Sequence, residues 1–326
     1  MSAHCENGVA ANLLRHYGIE LSEAMIFGIG SGLFFTYLPF VKMNGVPVVS
    51  FRPLPGVIFR RLNKALGVKT KTHRFPKNPE KAMDLLDKKI AEGVPVGMVV
   101  GVYNLTYFPA PYRFHFNAHN IVGFAKEGDN YLVSDPIMED IETISYKDLK
   151  LVRYAQGTYK PKGKMYYMTY VPKDVDLRDA IKKSIKKTAK YMTVYPGQII
   201  GDRGMRMLAK DIRKWPKKYD RRKAAKYLGS IVRMQEEIGT GGAGFRFMYA
   251  AFLQEAGKML NNKELVELSK EITEIGDKWR LFATQCARVV KSRNNNDITY
   301  DTVADLLVEI SYDEKAFFTK LIKVNL

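Results

Sequence analysis

The sequence predicts an α+β protein in which a mixed α/β region, residues 1–172, is followed by an all-helical region, residues 173–326. Two observations carry this prediction. In the first region, short apolar runs typical of strands alternate with helical segments. From Leu177 onward, apolar residues recur at helical spacing instead. A chain of 326 residues, 46% of them apolar, is long enough for two domains.

The elements of the first region follow from periodicity and turn residues. A helix is predicted over residues 6–17, because its apolar residues have helical spacing and Gly18 marks its end. Residues 117–126 and 131–136 flank the turn residues 127–130, which predicts a β-hairpin. The remaining predicted elements are a helix and three strands: helix 80–91 and strands 46–51, 94–102 and 165–171.

The second region begins near Pro172, after a segment rich in Gly, Pro and Lys and one last strand. Apolar residues at helical spacing start at Leu177 and continue through residue 215. Longer helical stretches are predicted at 244–260, 263–293 and 302–323. Of the two cysteines, Cys286 falls in one of these stretches, where we expect it to pack in the core.

The first candidate for chemistry is Cys5, at the start of the first predicted helix. A helix N-terminus carries about half a positive charge and unpaired N–H groups, which lower the pKa of a thiol and can hold an oxyanion. Cys5 is therefore a candidate reactive thiolate, although a cysteine can also simply pack.

The hairpin supplies two partners for this thiol. His119 lies at the start of its first strand and Asp135 at the end of its second strand. A turn near Gly128 brings the two residues close to direct opposition, on strands about 5 Å apart. A carboxylate at that distance can hold an imidazole, so His119 is a candidate base and Asp135 its orienting group.

This order of Cys, His and Asp resembles that of papain-like cysteine enzymes, and the hairpin resembles that of the bacteriocin-leader peptidases among them. A narrower resemblance covers nearly the whole chain. Four segments look like the N-terminal domain of butirosin biosynthesis protein H: His-Cys-Glu-Asn-Gly at 4–8, the runs 12–18 and 21–32, and Ser-Asp-Pro at 134–136. The segment 239–253 is similar to the helical domain that commonly follows it.

The resemblance implies a papain-like catalytic domain that transfers an acyl group. The donor would be a thioester on the phosphopantetheine arm of an acidic acyl carrier protein, and the acceptor a small-molecule amine or hydroxyl in specialised-metabolite or lipid biosynthesis. Cys5 would attack the thioester, His119 would carry the proton and Asp135 would orient the imidazole. The protein itself would bind no cofactor, and no metal is expected because the cysteines lack zinc-ligand spacing.

One feature departs from the papain-like pattern. Those enzymes place a glutamine about six residues before the nucleophile as an oxyanion donor, and here four residues precede Cys5. The Cys5 backbone N–H could replace this donor, and so could Asn7 or Asn12. His4 is a candidate accessory group beside the thiol, and His115 is a rival base to His119.

Most of the net charge of +18 lies between residues 178 and 226. This segment contains 17 Lys and Arg and four Asp, a net charge of 17 − 4 = +13. A basic surface attracts an acidic partner, and the resemblance assigns it to carrier docking through four lysines: Lys182, Lys183, Lys186 and Lys187. Nucleic acid or an anionic membrane would explain the charge equally well, and so would a solvated helix face. The resemblance implies no nucleic acid, but it allows peripheral membrane contact if the acyl chain is a lipid.

Two glycine-containing segments have more than one interpretation. The run 239–244 precedes a helix, so Gly241, Gly242 and Arg246 could bind the phosphate of phosphopantetheine, or the glycines could form an ordinary linker.

The uncharged run 24–41 could be mistaken for a membrane span, but its glycines and proline favour a buried segment or the wall of an acyl pocket. No basic leader precedes it, and we expect a cytoplasmic protein.

Two other function classes remain open. A cysteine peptidase or amidase could use the same three residues and would differ in taking its acyl group from a peptide or amide. A non-catalytic basic binding protein, such as a nucleic-acid binder, would keep its binding activity without Cys5.

Overall fold

The computed structural model describes residues 1–194, 197–291 and 298–326. It is a mixed α/β protein, as the sequence predicts. The helices are α1 (Cys5–His16), α2 (Glu23–Ile29), α3 (Val57–Ala65), α4 (Pro79–Ala91), α5 (Tyr146–Arg153), α6 (Leu177–Thr193), α7 (Gly201–Lys218), α8 (Arg221–Val232), α9 (Arg246–Leu260), α10 (Lys263–Lys291) and α11 (Tyr300–Lys323). The strands are β1 (Thr36–Met43), β2 (Val46–Ser50), β3 (Lys69–His73), β4 (Val96–Val100), β5 (His119–Glu127), β6 (Asn130–Ser134), β7 (Ile141–Ser145) and β8 (Met165–Tyr170).

The chain divides into two compact units, and the division differs from the expected one in residues 27–54 and in a boundary at 175 rather than 172. Unit 1 contains residues 1–26 and 55–175, and unit 2 contains 27–54 and 176–326. Residues 27–54 thus belong with the second unit, although the sequence places them in the region 1–172. The reason is aromatic packing: Phe27 stacks on Phe245, and Phe51 contacts Trp279 edge to face.

Unit 1 is built on a six-stranded antiparallel sheet with the strand order β3-β8-β4-β5-β6-β7. The central strand β4 is buried along its whole length. Its side chains Val96, Met98 and Val100 form a core with residues of β5, β6 and α4. This burial on both faces explains why β4 has a continuous apolar sequence rather than an alternating one.

Local signals set the ends of several elements in unit 1. The Asn78 side chain accepts a hydrogen bond from the Lys81 N–H, and Pro79 occupies the first turn of α4. The predicted hairpin is present as β5 and β6, which pair from Glu127 opposite Asn130 to Val122 opposite Ser134. The predicted first helix is present as α1, which begins one residue early, at Cys5.

Unit 2 contains α6 to α11 together with the antiparallel hairpin β1–β2. The two strands of this unit come from residues 36–50, outside the region 173–326, in which the elements of the described residues are helices. The predicted helix 263–293 is observed as α10, and residues 292 and 293 lie outside the described part of the chain. Cys286 is fully buried in α10.

The uncharged run 24–41 forms most of α2, a turn and the first part of β1. Its side chains Phe27, Leu33 and Phe35 are fully buried. Among the helices of the described residues, none combines the length and the apolar character that a membrane span requires.

Candidate active site

The candidate site is built around Cys5, the first residue of α1. The chain before the thiol is held at several points. The backbone N–H groups of Ala3 and His4 donate to the Glu23 carboxylate at 2.8 and 2.7 Å, and the Ser2 N–H donates to the Pro136 carbonyl at 2.6 Å. The half-buried thiol therefore sits at a fixed helix N-terminus, where the helix dipole favours a negative charge.

Helix α1 lies against the end of the hairpin that carries Asp135. A Cβ atom on Gly8 would come within 2.2 Å of the Pro136 Cβ, far closer than non-bonded atoms approach a Cβ atom. Glycine at this position therefore allows the close approach of α1 to the residue that follows Asp135.

His119 and Asp135 meet across the hairpin. Val122 pairs with Ser134, so Asp135 is diagonal to His119 and shares its face of the sheet. The imidazole Nε2 lies 2.7 Å from the Asp135 Oδ2, and the two residues are only 3% and 1% exposed. Because Nε2 is engaged by the carboxylate, Nδ1 is the ring nitrogen left for the thiol.

The Asp135 carboxylate has two further partners. The Tyr107 hydroxyl donates to Oδ2 at 2.9 Å, and the Ile137 N–H donates to Oδ1 at 3.2 Å. Burial and the nearby charge of Asp135 raise the pKa of Tyr107 far above its ordinary value, so the phenol remains a donor. These hydrogen bonds fix the carboxylate and hence the ring that it holds.

The thiol and the imidazole shift each other's pKa. Burial alone would raise the pKa of Cys5, but His119 and hydrogen bonds from Asn120 leave it below the ordinary value. Burial alone would lower the pKa of His119, but the charge and hydrogen bond of Asp135, together with Cys5, raise it well above the ordinary value. The two shifts favour a thiolate beside an imidazolium.

One residue at the thiol, Asn120, and its partner Tyr166 were not among the sequence candidates. The Asn120 Nδ2 lies 3.7 Å from the Cys5 Sγ, and the Asn120 Oδ1 accepts a hydrogen bond from the Tyr166 hydroxyl at 2.9 Å. The position of Asn120 directly after His119 is a signal that could have drawn attention to it. Tyr166 lies on β8, and nothing in its local sequence indicates this contact.

The other candidates near the thiol make different contacts. The buried Asn7 side chain hydrogen bonds with Glu23, and the Asn12 Nδ2 donates to the Ser134 Oγ at 2.8 Å. His4 is buried and precedes α1 as its N-cap residue. The rival base His115 is exposed, and its ring stacks on Tyr103 with centroids 4.1 Å apart.

The suggested phosphate site in unit 2 has a different arrangement. The Arg246 guanidinium is fully buried and donates to both carboxylate oxygens of Glu314, at 2.8 and 3.0 Å, and to the Gly244 carbonyl. This pair occupies the guanidinium, so it is not presented to a phosphate. The Gly242 N–H donates to the Thr240 hydroxyl, and Gly241 is exposed.

The four lysines suggested for carrier docking lie on α6. Lys183, Lys186 and Lys187 are exposed and Lys182 is half-buried. Lys183 pairs with Asp179 at 2.6 Å, and the ammonium of Lys187 lies over the Tyr191 ring. In the part of the chain that the structure describes, no group of three or more His, Cys, Asp or Glu could hold a metal ion.

The fold and the site together define a mixed α/β protein in which a half-buried Cys at a helix N-terminus lies beside a buried His–Asp pair. Residues 4–136 match the family described as "Butirosin biosynthesis protein H, N-terminal", and residues 147–321 match the family described as "Domain of unknown function (DUF4872)". The chain belongs to the second of these families, whose model matches more than half of it, and its N-terminal part belongs to the butirosin biosynthesis protein H-like family. Membership in this family indicates a biosynthetic enzyme of the transferase kind. A search of curated proteins found no match.

Proposed function

We propose that the protein is a papain-like acyltransferase that takes an acyl group from an acyl carrier protein thioester and passes it to an amine or hydroxyl acceptor. The single observation that carries this proposal is the arrangement of Cys5, His119 and Asp135. A nucleophile at a helix N-terminus, a base beside it and a carboxylate on the base are the parts that covalent acyl transfer requires.

In the first half of the reaction, the Cys5 thiolate attacks the carbonyl carbon of the donor thioester. The new C–S bond forms as charge moves onto the carbonyl oxygen, and the tetrahedral intermediate then expels the phosphopantetheine thiolate. The His119 imidazolium gives its proton to this leaving group. One thioester replaces another, so the step is nearly balanced in energy and needs no nucleotide.

In the second half, the acceptor attacks the Cys5 acyl-enzyme. Neutral His119 takes the proton of the attacking amine or hydroxyl, and Asp135 stabilises the imidazolium that forms. Collapse of the second tetrahedral intermediate breaks the C–S bond, releases the acylated acceptor and restores the thiolate–imidazolium pair. The phosphopantetheine in this scheme belongs to the carrier protein.

The proposal predicts a covalent acyl-enzyme. We expect incubation with an acyl-loaded carrier protein, in the absence of acceptor, to raise the intact mass of the protein by the mass of one acyl group. Peptide mapping should place the acyl group on Cys5, because its pKa is lowered while that of buried Cys286 is raised well above the ordinary value. An adduct only from peptide or amide donors would favour a peptidase or amidase instead.

The docking part of the proposal rests on the exposed positive charge of α6. Acyl carrier proteins are generally acidic, so we expect the double variant Lys186→Glu, Lys187→Glu to slow acylation from a carrier-bound donor by about tenfold at low salt. Acylation from a small soluble thioester should be unchanged, and the difference should shrink as salt is added.

The matched control reverses two exposed lysines on another helix of unit 2, in the double variant Lys315→Glu, Lys323→Glu. This variant has the same net charge change but leaves α6 intact. Equal losses in the two double variants, or equal losses with both kinds of donor, would contradict docking on α6.

A further inference from the structure

A chain of hydrogen bonds leads from β8 to the nucleophile. The Tyr166 hydroxyl donates to the Asn120 Oδ1 at 2.9 Å, and the Asn120 Nδ2 lies 3.7 Å from the Cys5 Sγ. Tyr166 and Asn120 are only 4% and 7% exposed. Hydrogen bonding from Asn120 also lowers the pKa of the Cys5 thiol. The Asn120 amide is therefore a donor placed at the atom that would carry the negative charge.

The contacts of Asn120 fix which end of its amide faces the thiol. The Ala118 carbonyl, 3.2 Å from Nδ2, is an acceptor and needs an N–H as its partner, so this contact assigns the NH₂ end of the amide to the side that faces Cys5. Burial raises the pKa of Tyr166 well above its ordinary value, so the phenol keeps its proton and can donate it to Oδ1.

Close packing holds Tyr166 in this position. Tyr166 pairs with Gly97 of β4, and a Cβ atom on Gly97 would come within 2.3 Å of the Tyr166 ring. The Phe59 ring packs on Tyr166 with centroids 4.8 Å apart. The contacts with Gly97 and Phe59 hold the ring so that its hydroxyl meets Asn120, which preorganises the amide before any substrate binds.

We propose that Asn120 is a further catalytic residue, whose amide stabilises negative charge on the Cys5 sulfur and then on the oxyanion, and that Tyr166 is its positioning residue. This inference rests on the proposed acyl transfer. When the acyl carbon bonds to Sγ, the carbonyl oxygen is only two bonds from the sulfur, so a donor beside the sulfur lies near it. During the attack the negative charge moves from the sulfur to this oxygen. The Asn120 amide can then hydrogen bond to the oxygen instead of the sulfur.

The test uses the full chain with Asn120→Ala, Asn120→Asp and Tyr166→Phe, and Tyr167→Phe as the matched control. Tyr167 is the neighbouring tyrosine on β8, and its hydroxyl lies 3.3 Å from the His73 Nε2 rather than at the thiol. Two rates are measured across pH: alkylation of Cys5 by iodoacetamide and acylation of Cys5 by a small soluble thioester. Thermal unfolding shows that each variant is folded.

We expect Asn120→Ala to shift the alkylation profile to higher pH, because the thiolate loses a donor, and to slow acylation by about 10²-fold. Above the pKa of the thiol, alkylation should recover to the wild-type rate while the acylation deficit persists, because only acylation develops an oxyanion. Asn120→Asp should shift the alkylation profile further, since it places a carboxylate beside the sulfur. Tyr166→Phe should show smaller shifts in the same direction, and Tyr167→Phe none.

An acylation rate and an alkylation profile of Asn120→Ala that match those of the wild type would overturn the inference. So would a loss of acylation that disappears above the pKa of the thiol, because it would leave Asn120 without an oxyanion role. If wild-type Cys5 accepts no acyl group from any thioester, the proposed function fails. The alkylation profiles alone then decide whether Asn120 acts on the sulfur.

Discussion

The Cys5→Ala variant should form no acyl-enzyme and should lose transferase activity by roughly 10⁴-fold or more. Alanine has no nucleophilic atom, so neither the acyl-enzyme nor the first tetrahedral intermediate can form. The site otherwise keeps His119 held by Asp135, because their contact at 2.7 Å does not involve the thiol. Intact-mass analysis and the rate of product formation measure the two losses.

The matched control for this variant is Cys286→Ala. It removes the other cysteine of the chain, a fully buried residue of α10, and should leave acyl-enzyme formation unchanged. If Cys5→Ala kept full activity and Cys286→Ala were inactive, the nucleophile would be Cys286 of unit 2 instead. Full activity of both variants would favour a non-catalytic binding function.

The His119→Ala variant should lower the acylation rate at neutral pH by roughly 10³-fold or more. The loss has two sources. Cys5 loses the hydrogen bond and the positive charge that lower its pKa, so less thiolate is present at neutral pH. The leaving thiolate also loses its proton donor. Raising the pH should restore only the first of these losses, so the acylation rate should recover in part.

Two further variants make this prediction specific. His115→Ala changes an exposed histidine four residues earlier and should leave acylation unchanged, because its ring stacks on Tyr103. Asp135→Asn should retain more activity than His119→Ala, since an amide oxygen can still accept the hydrogen bond from Nε2 although it cannot stabilise the imidazolium. An acylation rate of His119→Ala equal to that of the wild type, with a loss in His115→Ala, would contradict this assignment.

The parts of the site that the sequence predicts are those with a local signal. Helical spacing after Cys5 predicts a thiol at a helix N-terminus, and turn residues around Gly128 predict a hairpin. The turn pairs Glu127 with Asn130, but the register shifts by one residue between Gly123 and Ala125, before Val122 pairs with Ser134. Without this bulge Asp135 would pair with Val122 and lie on the face opposite His119. The sequence therefore predicts that the two residues are near each other, and the bulge in the structure decides that they share a face. The family resemblance adds the expected chemistry to these positions.

The tertiary structure alone decided the contacts between residues far apart in the chain. Asn120 meets Cys5 across 115 residues, and Tyr166 meets Asn120 across 46. The same holds for Arg246 and Glu314, whose pairing across 68 residues leaves no guanidinium for a phosphate, and for residues 27–54, which pack with unit 2. Periodicity and turn chemistry encode which element forms, because they act over a few residues. Which elements meet depends on how whole faces bury their apolar side chains, and that information is spread over the entire chain.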